Sequence, residues 1–111
     1  MDRSPCKLTL VYPPEAEDGI TELLLTAEPP LTGFTTLVAE GHGHDFANAS
    51  TRERVRGRVR RGVLTVILSR GRLDWLLEEI RCKAAIQDLT YWVEPVEAFG
   101  RLEPNTMSEA A

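Results

Sequence analysis

The sequence predicts an α+β fold with elements in the order β-α-β-β-α-β. Two kinds of periodicity predict it: segments that alternate polar and apolar residues, and segments with apolar residues three or four positions apart. The chain has 111 residues, the size of one domain, and its 42% apolar fraction is sufficient for one packed core. The predicted strands are Lys7–Tyr12, Phe34–Glu40, Val55–Ser69 and Thr90–Val96.

Two helices are predicted between these strands. The first runs from Glu15 to Ala27, because Pro13 and Pro14 suit a helix start and further prolines follow its end. The second runs from Gly71 to Ala84. Its apolar residues recur at i, i+3, i+4 and i+7 and form one stripe that faces a core: Leu73, Leu76, Leu77 and Ile80.

This order of elements is the split β-α-β pattern of ferredoxin-like folds. Right-handed crossovers place both helices on one face of an antiparallel sheet, and subunit association is the simplest cover for the other face. The stretch from Gly41 to Arg54 is expected to be a loop. The folded domain is predicted to span residues 1–102, and the small, polar tail 103–111 is predicted to be disordered.

Charge and composition limit the possible functions. The net charge of −4 argues against general nucleic-acid binding, and no apolar run is long enough to insert into a membrane. The segment Met1–Lys7 is polar and does not resemble a signal peptide. Cys6 and Cys82 are therefore expected to be reduced thiols in a cytoplasmic protein.

Several short motifs, taken in order, resemble the DUF3240 family, a PII-like family of unknown function. Its members are often encoded beside heavy-metal efflux pumps. The matching segments are Gly33–Thr35, Gly41–Gly43, Val55–Arg58 with Arg61, Tyr91–Val96 and Gly100–Leu102.

The resemblance implies a ferredoxin-like homotrimer with ligand clefts between subunits, as in PII signalling proteins and CutA proteins. It implies a regulatory protein, not an enzyme, that signals to a protein partner such as a transporter. The loop from Gly41 to Arg54 would be a short equivalent of the PII T-loop. The sequence departs from true PII proteins before the second helix, where their glycine- and lysine-rich phosphate-binding loop is missing.

Arginines form a basic cluster before and within the third strand. Guanidinium groups bind phosphate and carboxylate in a bidentate manner, so these residues are candidates for an anion site that could take an adenine nucleotide. In PII-like proteins the corresponding region lies at the intersubunit cleft, and the best candidates there are Arg56, Arg58, Arg61 and Arg101. An equally weighted alternative is that they pair with acidic residues across subunits, namely Glu15, Glu17, Glu94 or Glu97.

Glu40, His42 and His44 are spaced by two residues. If the second strand continues through them, their side chains emerge on one face and could bind one zinc, copper or nickel ion, with Asp45 as a further ligand. A histidine pair flanked by glycines more often has a solvated or capping role. The site nevertheless predicts an alternative function, a metal buffer or metal sensor of heavy-metal resistance.

No motif predicts catalysis. The sequence has no G-x-S-x-G elbow, P-loop or dinucleotide fingerprint. Tyr91 and Trp92 alternate on the last strand, so one should face the helices while the other anchors an interface. A purely structural oligomer without a ligand is the third hypothesis.

Overall fold

The computed structural model of the chain describes residues 2–43 and 58–105. Strands and helices alternate there in the predicted order, which gives an α+β fold. The strands are β1 (Pro5–Tyr12), β2 (Phe34–His42), β3 (Arg58–Ser69) and β4 (Thr90–Pro95). The helices are α1 (Glu17–Leu25) and α2 (Arg70–Glu79). Within these ranges, neither helix has the length and apolar character needed to cross a membrane.

The four strands form one antiparallel sheet with the order β2-β3-β1-β4. β1 lies inside the sheet, and its Leu10 pairs with Leu64 of β3 on one side and Tyr91 of β4 on the other. β2 and β4 are the edge strands. The predicted antiparallel sheet is thus confirmed, with the two strands nearest the middle being the first and third along the chain.

Side chains that alternate along β1 and β3 form the core with both helices. Leu8 and Leu10 of β1 are fully buried, as is Leu64 of β3. Ile20 of α1 and Leu76 of α2 belong to the same core cluster. Both helices therefore cover one face of the sheet, as predicted.

The opposite face of the sheet is named here the open face, because neither helix packs on it. The register places on it a mixture of threonines, aliphatic residues, one tryptophan and one charged pair. Its central residues are Lys7, Thr9, Val11, Thr35, Leu37, Val63, Thr65, Ile67, Thr90, Trp92 and Glu94.

β2 is longer than predicted. Gly41 and His42 were expected to begin a loop, but they pair with Val59 and Arg58 of β3. The partner strand accounts for the difference, because its backbone supplies hydrogen-bonding groups to residues with a low strand preference of their own. The remainder of the predicted loop, residues 44–54, lies outside the described residues.

The second helix ends in a wider turn than the sequence predicts. α2 continues into a π-helical turn from Ile80 to Ala84, and Ala85 then adopts the left-handed conformation with φ 48° and ψ 51°. The backbone N–H of Ala85 donates to the carbonyl of Ile80 at 3.3 Å, which closes the turn. The predicted end at Ala84 is confirmed, while the regular α-helical hydrogen bonding stops five residues earlier.

Tyr12 links β1 to the start of α1. Its ring is fully buried, and its hydroxyl donates to Oε1 of Glu17 at 2.5 Å. Gly62 is its pairing partner in β3 and leaves room for the ring. Burial and the adjacent Glu17 carboxylate raise the pKa of the Tyr12 phenol above its ordinary value.

Candidate ligand-binding site

A cavity of about 450 Å³ lies at one end of the open face and receives residues from all four strands. It is named here the Arg61 cavity. β2 contributes Gly41 and His42, and β1 contributes Val11. The other lining residues come from β3, β4 and the turn before β4, namely Arg61, Asp88, Thr90 and Trp92. The wall therefore combines one cation, one carboxylate, an imidazole, a hydroxyl and an indole.

Arg61 is the charged residue whose placement is most informative. Only 6% of its surface is exposed, although it lies on β3 where the helices do not cover the sheet. Arginine is rarely buried without an acceptor, and Asp88 lines the same cavity. A guanidinium has five N–H donors in a fixed geometry, so it can serve a protein acceptor and a ligand at once.

Of the other predicted anion-binding arginines, the structure describes the side chain of Arg101, which does not line the cavity with Arg61. Arg101 is exposed in the segment after β4 and is not among the lining residues. Arg56 lies outside the described residues, and Arg58 is described only as the first residue of β3.

Two of the three predicted metal ligands are placed by the structure. Glu40 and His42 are both exposed and are two residues apart on β2, which puts them on the same side of that strand. His44, the third, lies outside the described residues, as does Asp45. Residues 2–43 and 58–105 contain no group of three His, Cys, Asp or Glu residues that could hold a metal ion.

A row of threonines crosses the open face beside the cavity and ends at Trp92. Thr35 pairs with Thr65, Thr65 with Thr9, and Thr9 with Trp92. Thr9 is 3% exposed, and its Oγ1 has no hydrogen-bond partner among the described residues. Burial without a partner is unfavourable for a hydroxyl, so the Thr9 side chain carries an energetic cost that a hydrogen bond would remove.

The aromatic pair on β4 is divided between the two sides of the sheet. Tyr91 lines a cleft with Leu77 and Ile80 on the helix side. Trp92 lies on the open face, where 46% of its surface is exposed and its indole N–H donates to Oε1 of Glu94 at 3.1 Å. The predicted alternation is confirmed.

Two of the four acidic residues suggested as intersubunit partners for the arginines have contacts within their own chain, and the other two, Glu15 and Glu97, are exposed. Glu17 accepts from Tyr12, and Glu94 lies 3.9 Å from the Lys7 ammonium as well as accepting from Trp92. The pairing of arginines with these acidic residues across subunits therefore stays a prediction.

The two cysteines occupy different environments. Cys6 is buried in the core, whereas Cys82 is exposed in the π-helical turn. The Cys82 thiol donates to Oε1 of Glu78 at 3.3 Å, and this hydrogen bond and the carboxylate charge raise the pKa of the thiol. A raised pKa disfavours the thiolate, so Cys82 is poorly suited to be a nucleophile.

Sequence reasoning did not identify Asp88 and Thr90 as site residues. Asp88 lies in the turn before β4 with φ 59°, and this left-handed conformation is one that Asp tolerates better than most residues. The only local signal was the short turn after the second helix. Their position beside Arg61 depends on the strand order, since β1 lies between β3 and β4.

Comparison with known proteins identifies the family. The DUF3240 family model, whose members are proteins of unknown function, matches residues 3–103. No curated protein matches the chain. The crystal structure of a DUF3240 family protein from Shewanella baltica OS155 is similar, with a TM-score of 0.74 and 18% identity, over 90% of this chain and 98% of that one. At that identity the likeness shows a shared fold alone. The chain belongs to the DUF3240 family.

Proposed function

We propose that this protein is a PII-like regulatory module that binds a small anionic ligand in the Arg61 cavity and has no catalytic activity. The observation that carries the proposal is the 6% exposure of Arg61 in a cavity of about 450 Å³ on the face that the helices leave uncovered. A cavity of this size falls in the range of small-molecule sites, and its few polar groups are placed among apolar ones.

The side chains around Arg61 suit an adenine nucleotide. The guanidinium can bind phosphate through two parallel N–H bonds, while the half-exposed Trp92 indole offers a surface on which a planar base can stack. Thr90 adds a hydroxyl that can donate or accept. The Asp88 carboxylate repels a multiply charged anion unless the Arg61 guanidinium balances the Asp88 charge. An anionic ligand is therefore expected to contact the side of the guanidinium that faces away from Asp88.

We further propose that the domain is ferredoxin-like and forms a homotrimer through the open face, so that a second subunit closes the Arg61 cavity. Leu37 is 53% exposed on this face, and Val63 lies beside it in the register. An apolar strip of this kind on a sheet is stabilised by association. The buried Thr9 hydroxyl would then gain an acceptor or donor from the neighbouring subunit.

Signalling would use the segment that follows β2. Gly41 and His42 line the cavity, so a ligand there would contact the chain shortly before residues 44–57 begin. A protein partner such as a heavy-metal transporter, in the cytoplasm, would recognise the conformation of that segment. This step depends on a ligand having different affinities for two conformations of the protein.

Thermal shift and calorimetry with ATP, ADP and AMP test the proposal. A nucleotide that binds only the folded protein at 100 times its Kd stabilises it by about 2.7 kcal/mol, which raises the Tm by several degrees. We expect this shift for the native chain and for Arg60→Gln, a matched control whose arginine is exposed on the adjacent position of β3. Arg61→Gln should lose it.

The proposal would be rejected if no nucleotide shifted the Tm of the native chain, or if Arg60→Gln and Arg61→Gln weakened binding equally. Because Arg61 is buried, its replacement can also reduce folding stability. Trp92→Leu provides the second variant, since it keeps an apolar side chain on the open face and removes the aromatic surface on which a base would stack. It should weaken nucleotide binding without unfolding the chain.

A metal buffer or metal sensor is the second candidate function. The observation that favours it is the extension of β2 to His42, which puts Glu40 and His42 on one side of the strand. His44 would complete the site. Equilibrium dialysis against copper, zinc and nickel should show one ion per chain, and the His42→Ala/His44→Ala double variant should abolish it. Equal binding by the double variant would exclude these ligands.

A further inference from the structure

A second cavity, of about 370 Å³, lies at the other end of the strands from the Arg61 cavity and shares no lining residue with it. It is named here the Arg72 cavity. Its polar wall includes Arg3, Ser69 and Arg72, and its apolar wall includes Leu31, Ile67 and Phe99. These residues come from the segments before β1 and after β4, the loop before β2, the end of β3 and the start of α2.

Arg72 has an unsatisfied polar atom. Its Nη2 is buried and has no hydrogen-bond partner among the described residues. Its guanidinium carbon lies 4.9 Å from the centre of the Trp75 ring, one turn further along α2. Stacking on the indole fixes the plane of the guanidinium but satisfies none of its in-plane N–H groups. An unsatisfied buried donor is costly, and a small shift of the guanidinium toward an acceptor in the cavity would remove the cost.

The N-terminal segment holds Arg3 at the same cavity. The backbone N–H groups of Arg70 and Gly71 donate to the carbonyls of Ser4 and Asp2, each at 2.8 Å. These two bonds fix the residues on either side of Arg3 against the start of α2. They also occupy donors of the helix N-terminus, so the attraction of this cavity for anions comes from arginine side chains and not from the helix end.

No acidic residue is among those that line the Arg72 cavity, whereas two arginines are. The Ser69 side chain makes no capping bond to the helix, which leaves its hydroxyl available to a ligand. The apolar wall consists of proline, aliphatic and aromatic side chains. Two cations beside aliphatic and aromatic side chains suit a molecule with an anionic head and an apolar body.

We propose that the Arg72 cavity is a second ligand site, which binds an organic anion whose carboxylate or phosphate contacts Arg72 and Arg3. The apolar body of the ligand lies against Leu31 and Phe99. This inference does not depend on the Arg61 cavity, since the two sites have no residue in common.

Nuclear magnetic resonance of the full ¹⁵N-labelled chain separates the two cavities. The chain has two tryptophans, and each reports on one site: Trp75 stacks with Arg72, and Trp92 lines the Arg61 cavity. Phenyl phosphate and benzoate are the probes, with benzyl alcohol and inorganic phosphate as comparisons that lack the charge or the apolar body. We expect phenyl phosphate or benzoate to shift the Trp75 indole signal and the amides of Ser69 and Arg72, while the Trp92 indole signal stays in place.

Arg72→Gln should weaken probe binding by about tenfold or more, because hydrogen bonds to charged groups contribute that much. Arg70→Gln is the matched control, since it removes the same charge from an exposed position on the same helix that does not line the cavity. Its affinity should change by less than about threefold, as expected for an exposed charge. If Arg72→Gln does not fold, Arg3→Gln is compared with Arg70→Gln by the same criterion.

Three results would overturn the proposal. The first is a Trp75 indole signal that neither phenyl phosphate nor benzoate shifts at millimolar concentration. The second is an equal loss of affinity in Arg72→Gln and Arg70→Gln, which would indicate a diffuse positive field. The third is binding of inorganic phosphate or benzyl alcohol as tight as that of the probes, which would exclude the combined recognition of head and body.

Discussion

At the scale of single residues, Gly62 stands where β3 passes the buried ring of Tyr12. A Cβ at this position would overlap Cε1 of Tyr12, and would lie 2.9 Å from its Cζ and 3.1 Å from Oε1 of Glu17. The ring cannot retreat easily because it is fully buried and its hydroxyl is bonded to Glu17. The absence of a side chain at residue 62 is therefore a packing requirement.

We predict that Gly62→Ala lowers the free energy of unfolding by roughly 1–3 kcal/mol, the usual cost of overpacking a core. Gly19→Ala is the control, because a Cβ there meets nothing within 4 Å and Gly19 lies inside α1. Replacing a helical glycine by alanine should raise the unfolding free energy by about 0.5–1 kcal/mol. Urea denaturation measures both. Equal effects of the two substitutions would contradict the packing argument.

Tyr12 also predicts how stability depends on pH. Burial and Glu17 raise the pKa of its phenol in the folded state, so the folded chain holds this proton more tightly than the unfolded chain. The resulting stability is fully present below the unfolded pKa of about 10 and is lost as pH rises beyond it. We expect a slope of at most about 1.4 kcal/mol per pH unit above that value.

Tyr12→Phe should flatten this alkaline limb, because the remaining tyrosine, Tyr91, is 54% exposed. The same substitution should lower stability at pH 7 by roughly 1 kcal/mol, since the Glu17 carboxylate loses a donor. Urea denaturation between pH 7 and pH 11 measures both effects. An unchanged alkaline slope in Tyr12→Phe would show that other groups control it.

At the scale of elements, the end of the second helix carries a local conformational cost. Ala85 adopts the left-handed conformation that terminates many helices, but it has a Cβ where glycine is preferred. The carbonyl of Ile80 accepts from its N–H and holds it there. The residue thus lies in an unfavourable conformation that the surrounding turn imposes.

We predict that Ala85→Gly raises the free energy of unfolding by roughly 1 kcal/mol, because the left-handed conformation costs an L-residue about that much. Ala84→Gly is the matched control. It lies in the π-helical turn and packs against the core, so it should lower the unfolding free energy by at least about 0.5 kcal/mol. Thermal denaturation of both variants checks the opposite signs, and a loss of stability in both would contradict the assignment.

Elements whose periodicity is local were predictable from the sequence. The stripe that includes Leu73, Leu76 and Ile80 predicted a helix, and those three residues are buried in the core. The end of β2 was not predictable, because Gly41 and His42 have the composition of a turn and become strand residues only by pairing with β3.

In the candidate sites, too, some residues were predictable from the local sequence, while others depend on contacts between distant segments. Arg61 was identified from an arginine-rich strand, whereas Asp88 and Trp92 reach it through strand pairing between residues far apart in the sequence. Arg72 was not singled out at all. Its importance depends on a cavity that Arg3, before β1, and Phe99, after β4, both help to form. No local pattern encodes such a meeting of segments that are far apart in the sequence.

At the scale of the whole molecule, the two faces of the sheet differ because helices pack on only one of them. One face carries both helices and the apolar core, while the open face exposes Leu37 and Trp92. The charged pair Lys7–Glu94 is exposed and 3.9 Å apart, so it contributes little stability of its own. Apolar and threonine side chains dominate the central part of this face, which favours contact with a second subunit over contact with water.

The proposed trimer makes Leu37 a decisive position. We predict that the native chain elutes with three times its mass of 12.4 kDa, and that Leu37→Asp shifts it toward the monomer because an unpaired carboxylate would be buried in the interface. Leu25→Asp is the matched control, since Leu25 is 74% exposed on α1, away from the open face. Size-exclusion chromatography with light scattering distinguishes these outcomes.

If Leu37→Asp keeps the native mass, the open face is not the interface. If Leu25→Asp also dissociates, α1 contributes to the interface. A monomeric native chain would remove the second subunit from the Arg61 cavity, and any nucleotide affinity would then have to come from the residues of one chain.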